Sequence, residues 1–299
     1  MSAKHLLCLA WLVLFMSSST MAGFADRLSE RRSAKAVAAL GGELLADLPY
    51  GSHERQRLDV YRPLQANAAP ILLMVHGGGW AKGDKRMERV VENKLARWLP
   101  QGYLLVSVNY RLLPDARPLQ QVEDIAQALS YVQQQAQSWG GDPQRVVLLG
   151  HSAGAHLISL LSADNAIATR FSAKPWLGTV ALDSAAFDVD SIMRGKHYRL
   201  YDQAFGAEPK YWRIASPYWR LQPAGAPLLA VCSSKREEAC LQAEAFAERG
   251  KQLGRSVQVL PQALSHGAIN HQLGEPGPYT DAVEAFFKRV GAVPKPALP

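Results

Sequence analysis

Eight short apolar runs recur along this chain of 299 residues, and longer stretches with helical spacing lie between them. The runs are Glu43–Leu48, Gln56–Tyr61, Pro70–His76, Leu104–Tyr110, Arg145–Gly150, Gly178–Asp183, Pro227–Cys232 and Ser256–Leu260. The first two alternate apolar with polar residues and sit close together, as an antiparallel entry hairpin does. The later ones are nearly continuous, as in Ile71-Leu72-Leu73-Met74-Val75 and Val146-Val147-Leu148-Leu149. Strands read this way when a parallel sheet is covered on both faces. The intervening helical stretches are Asp26–Leu40, Glu88–Leu99, Leu119–Trp139, Ala153–Ser162, Cys240–Leu253 and Tyr279–Val290. In the third of these, Val122, Ile125, Ala126, Leu129 and Val132 share one face. The alternation predicts an α/β fold with a mostly parallel eight-stranded sheet and helices on both faces. With 48% hydrophobic residues the chain can bury a single large core, so residues 23–293 read as one domain. Residues 188–224, rich in aromatics and prolines, break the rhythm and read as an insertion, and 294–299 form a Pro-rich tail.

The first 22 residues read as a signal peptide. Lys4 and His5 precede an apolar run, Leu6–Met16, and small residues follow to Ala22. The run is too short to remain as a membrane span, which needs about 20 residues. Cleavage after Ala22 or Ala25 leaves an exported chain, secreted or periplasmic, with no stable membrane span. Two cysteines then remain, Cys232 and Cys240, and in an oxidising compartment they read as a disulfide. The formal charge of +7 is spread along the chain apart from Arg27, Arg31, Arg32 and Lys35, a solvated helix face. No nucleic-acid partner is expected, and the sequence leaves the oligomeric state open.

Chemistry concentrates at the ends of the apolar runs. Gly150-His151-Ser152-Ala153-Gly154 fits G-x-S-x-G, directly after one run and opening an apolar helix. A serine on so sharp a strand-to-helix turn exposes its hydroxyl at the carboxyl edge of the sheet, and small neighbours are needed to avoid clashes. Ser152 is therefore the candidate nucleophile. His76-Gly77-Gly78-Gly79-Trp80 ends another run. Successive glycines leave backbone N–H groups unshielded, so the candidate oxyanion hole is Gly77, Gly78 and Ala153. On a nucleophile turn of this kind the chain order is Ser, acid, His. Of His156, His197, His266 and His271, only His266 directly follows the last run, and it is the candidate general base.

These stretches, with Asn109-Tyr110-Arg111-Leu112-Leu113-Pro114, Gly141-Asp142-Pro143 and the Asn270 and Leu273-Gly274 region, resemble the hormone-sensitive-lipase-like and bacterial carboxylesterase branch of the α/β-hydrolases. The resemblance runs from about Glu43 to Val290 and implies the α/β-hydrolase fold. It also implies hydrolysis of small-molecule carboxylic esters without a cofactor or metal.

The triad acid departs from the family pattern. The resemblance implies an Asp a few residues after the seventh strand, where this chain has Arg236 followed by Glu237 and Glu238. Glu238 is the favoured carboxylate, since a loop closed by a disulfide would hold it at a fixed angle. Glu237 is the near alternative, and Asp183 at the end of the sixth run is another. An amidase or aryl-formamidase would use the same machinery. A non-catalytic binding protein on a hydrolase scaffold has only the missing Asp in its favour.

Overall fold

The computed structural model describes residues 29–295, so the candidate signal peptide and the last residues of the Pro-rich tail lie outside the described residues. Eight strands form one sheet: β1 (Gly42–Pro49), β2 (Arg57–Pro63), β3 (Ala69–Val75), β4 (Leu104–Val108), β5 (Gly141–His151), β6 (Gly178–Leu182), β7 (Leu228–Ser233) and β8 (Val257–Gln262). Their order across the sheet is β1-β2-β4-β3-β5-β6-β7-β8. Pairings β1–β2 and β2–β4 are antiparallel, and all others are parallel. The entry hairpin and the parallel body thus follow the two kinds of apolar run.

Alternation along β3 shows why its run is unbroken. Ile71, Leu73 and Val75 enter one core, while Leu72 and Met74 enter the other. Every side chain of this run is fully buried, worth on the order of 1.5–3 kcal/mol for each large residue. The first core is covered by helices Pro118–Gln135 and Ala153–Ala163, through Val122, Ile125, Leu129, Leu157 and Ile158. The second is covered by Glu88–Trp98 and Pro278–Arg289, through Leu95, Trp98, Val283 and Phe287. A polar face on β3 would have left one of these layers nothing to pack against.

The segment 188–224 folds as four short helices, Val189–Arg194, Arg199–Phe205, Pro209–Ile214 and Pro217–Arg220. Tyr201 and Phe205 pack on Trp80, with ring centroids 5.7 and 4.9 Å away. His156 ties this segment down, sharing Nδ1 with Trp80 Nε1 and Nε2 with the Ala215 carbonyl.

Cys232, in β7, is disulfide-bonded to Cys240, in helix Glu237–Gln252. The bridge closes a loop with a sequence separation of 8, which in the chain-entropy account is worth about 2–3 kcal/mol. Replacing both cysteines by serine is expected to lower the thermal midpoint by several degrees and to abolish its sensitivity to reductant. A midpoint that dithiothreitol leaves unmoved in the wild type would show that the bridge contributes no stability.

Candidate active site

Ser152 sits between β5 and helix Ala153–Ala163 with φ 54° and ψ −116°, a backbone conformation that a side chain tolerates only under constraint. Its neighbours explain the glycines. A Cβ on Gly154 would lie 2.3 Å from the Val75 carbonyl oxygen, and one on Gly150 would lie 2.6 Å from the Gly154 carbonyl oxygen. The turn therefore closes only with glycine on both sides. Pairing of His151 with Leu182 and a bond from Ser152 N–H to the Leu182 carbonyl, 2.9 Å, then set the serine against the end of β6.

The His266 imidazole lies between Ser152 and Asp183, and its Nδ1 is also 2.7 Å from Arg236 Nη1. Nε2 is 3.0 Å from Ser152 Oγ, and Nδ1 is 2.6 Å from Asp183 Oδ2. The ring is held from behind by His151, whose Nε2 lies 2.9 Å from the His266 carbonyl oxygen and whose ring centroid is 4.5 Å away. Asp183 follows β6 directly and is almost fully buried. Its Oδ1 accepts from Ser233 N–H at 2.8 Å, and its Oδ2 also accepts from Arg236 Nη1 at 2.7 Å. Burial alone would raise this carboxyl, but the His266 hydrogen bond, the Ser233 amide and the Arg236 charge together hold it below its ordinary range.

Glu238, the favoured acid from the sequence, does not reach the imidazole. Its carboxylate is largely exposed and lies 3.3 Å from Arg236 Nε. Glu237 and Glu238 occupy the first turn of helix Glu237–Gln252, where negative charge complements the helix dipole. The carboxylate beside His266 is the alternative from the preceding strand, Asp183.

Gly77, Gly78 and Ala153 line the same cleft as Ser152, and their N–H groups donate to no backbone carbonyl among the described residues. The glycine run is shaped by close contacts. A Cβ on Gly78, which has φ +125°, would fall 1.9 Å from the Lys82 carbonyl oxygen. His76 braces the run through Nδ1 to the Gly77 carbonyl, 2.7 Å, and stacks on Tyr110 at 4.6 Å. The Asn109-Tyr110-Arg111 stretch supplies the rest of the scaffold. Tyr110 donates to the His76 carbonyl, Asn109 bonds Asp84 and the Lys85 amide, and Arg111 pairs with Asp124 at 2.6 Å. An arrangement of this kind can activate a serine hydroxyl, receive its proton and stabilise an oxyanion beside it. The cleft has a volume of about 1140 Å³.

The BD-FAE family model matches residues 58–192, which include the glycine run, the serine turn and Asp183. Esterase LipC of Mycobacterium tuberculosis is 28% identical over 269 residues, covering 81% of this chain and 64% of its own. Esterase LipQ of the same organism is 26% identical over 208 residues, covering 64% of this chain and 48% of its own. The chain thus spans less than two thirds of the length of these curated relatives. The crystal structure of esterase B from Lactobacillus rhamnosis superposes with a TM-score of 0.68 at 20% identity, covering 93% of this chain and 94% of that one. The chain has the α/β-hydrolase fold. In this fold the carboxylate nearest His266 comes from the end of β6, and Arg236 stands in the loop after β7.

Three histidines of the chain are held neutral by loss of water around the imidazole, His76 and His156 in the core and His151 at the wall of the cleft. His76 and His156 are pushed down from 6.5 to about 4, and His151 to about 3. An unfolded chain takes up protons below pH 6.5 that these folded sites refuse, so stability is complete above that pH. It falls progressively towards pH 4, and further through pH 3 for His151. At pH 5 the loss is expected to reach about 2 kcal/mol each for His76 and His156. Thermal unfolding at pH 7.5 and pH 5 should show a drop of several degrees, and an unchanged midpoint would contradict the assignment.

Proposed function

We propose that this chain hydrolyses carboxylic esters through an acyl-enzyme on Ser152, with His266 as general base and Asp183 as the carboxylate that completes the triad. The observation that carries the reading is the continuous contact from Ser152 Oγ to His266 Nε2, 3.0 Å, and from His266 Nδ1 to Asp183 Oδ2, 2.6 Å. The similarity to proteins named esterases supports the choice of ester over other acyl compounds.

In the proposed reaction Ser152 Oγ attacks the ester carbonyl carbon as His266 Nε2 takes its proton. The carbonyl oxygen becomes an oxyanion, which the N–H groups of Gly77, Gly78 and Ala153 stabilise. Asp183 holds the Nδ1–H tautomer and offsets the charge of the imidazolium. His266 then gives its proton to the departing alkoxide, releasing the alcohol. Water repeats the sequence on the acyl-enzyme, and the acid leaves. Each step uses groups of the chain itself.

The Cys232–Cys240 disulfide supports an oxidising location, secreted or periplasmic, since such bridges rarely persist in a reducing cytosol. Among the described residues no helix is long and apolar enough to cross a membrane.

A fluorophosphonate probe, followed by peptide mapping, tests the nucleophile: a single adduct on Ser152 is expected. Labelling elsewhere, or none, would remove the serine-hydrolase reading. Hydrolysis of 4-nitrophenyl acetate is expected to exceed that of N-formyl-arylamines by at least about tenfold, and the reverse order would favour the formamidase alternative.

A further inference from the structure

The charge of the cleft points to the kind of ester it takes. Its wall carries Lys82, Arg89 and Arg236 and one carboxylate, Asp183. Asp183 has no capacity to spare. It is buried and bonded to His266, Arg236 and the Ser233 amide. Lys82 and Arg89 are exposed on the segment that follows the glycine run, and neither forms an ion pair with a described residue.

Arg236 differs from those two because it is built into the site. Nη1 is 2.7 Å from Asp183 Oδ2, Nε is 3.3 Å from Glu238, and its residue lies within the loop closed by the disulfide. Its Nη2 donates to no described residue. The guanidinium is thus fixed in orientation beside His266 with donors uncommitted. A planar fork held in this way suits a carboxylate or similar oxyanion. Apolar side chains on the same wall, Met87, Tyr198, Leu200 and Tyr201, suit the body of such a molecule.

We propose that the cleft selects esters carrying a second, anionic group, engaged by Arg236 with Lys82 and Arg89. This rests on the ester-hydrolase reading above. A cleft lined by one sign of charge raises the local concentration of the opposite sign. A single added charge contact in a half-exposed site is worth about tenfold in kcat/KM. The group is a free carboxylate on the substrate, and the acid released at the scissile bond is separate from it.

Mono-4-nitrophenyl adipate and 4-nitrophenyl hexanoate share the acyl length and the leaving group and differ in the terminal carboxylate. With each rate divided by the spontaneous one, the adipate is expected to be favoured at least about tenfold in kcat/KM at low salt. That preference should collapse in about 0.5 M NaCl, where charges are screened within a few ångströms. In the double variant Lys82→Glu, Arg89→Glu the adipate-to-hexanoate ratio should drop about tenfold or more. Hexanoate turnover with no adipate preference overturns this inference and leaves the ester reading standing. A preference insensitive to both salt and the double variant also overturns it. Turnover of neither ester takes down both.

Discussion

Ser152→Ala is expected to lower kcat by about 10⁶ and to abolish fluorophosphonate labelling. In the proposed mechanism this hydroxyl forms the acyl bond. His266 Nε2, 3.0 Å away, has no other described hydroxyl at hydrogen-bond distance. What survives should be weak acceleration from the amides of Gly77, Gly78 and Ala153 and from binding. Alanine adopts the strained backbone at this position no better than serine, so the fold should be retained, as thermal unfolding would report. Activity within about a hundredfold of wild type would move the nucleophile elsewhere.

Asp183→Asn should cost about 10⁴ in kcat, and Glu238→Gln no more than several-fold. An amide at residue 183 offers His266 Nδ1 a donor where the imidazole needs an acceptor, which favours the wrong tautomer. It also deprives Arg236 of its closest anion. Thermal unfolding of the variant separates that structural cost from the catalytic one. Glu238 touches only the outer edge of Arg236 and is about half exposed, so its charge is screened by water. Similar rates for the two variants, or the opposite order, would return the acid to the loop after β7.

The contrast between these carboxylates shows what a linear chain reveals. Apolar runs such as Ile71–Val75 announced strands buried on both faces, because each side chain had to find a core. Gly150 and Gly154 were legible for a similar reason, since steric closure of the turn leaves no room for a Cβ. The glycines after His76 and the position of His266 after the last strand were equally local signals. Asp183, at the end of an apolar strand, was legible in the sequence as an alternative acid but not as the favoured one. Its importance depends on β6 lying beside β5, and strand order is a tertiary fact. Glu237 and Glu238 carried a misleading signal, because acidic residues at a helix start look the same whether they serve the helix dipole or a histidine. The aromatic segment 188–224 was recognisable as an interruption. Its packing of Tyr201 and Phe205 on Trp80 was not, since no periodicity marks which rings meet.

Adjacent strands carrying the proposed nucleophile and acid alter which parts of the molecule are free to vary. The Ser152 amide bonds the Leu182 carbonyl, and Asp183 is the next residue. Their separation is therefore measured by the rungs of the sheet rather than by the length of a loop. An enzyme whose acid hangs from the loop after β7 must conserve the reach of that loop. Here the loop is released from that duty, and a residue of opposite charge can occupy it. Residues 234–239, apart from Arg236 against Asp183, are thus a natural place for substrate preference to be rewritten by substitution while the proposed triad stays in register.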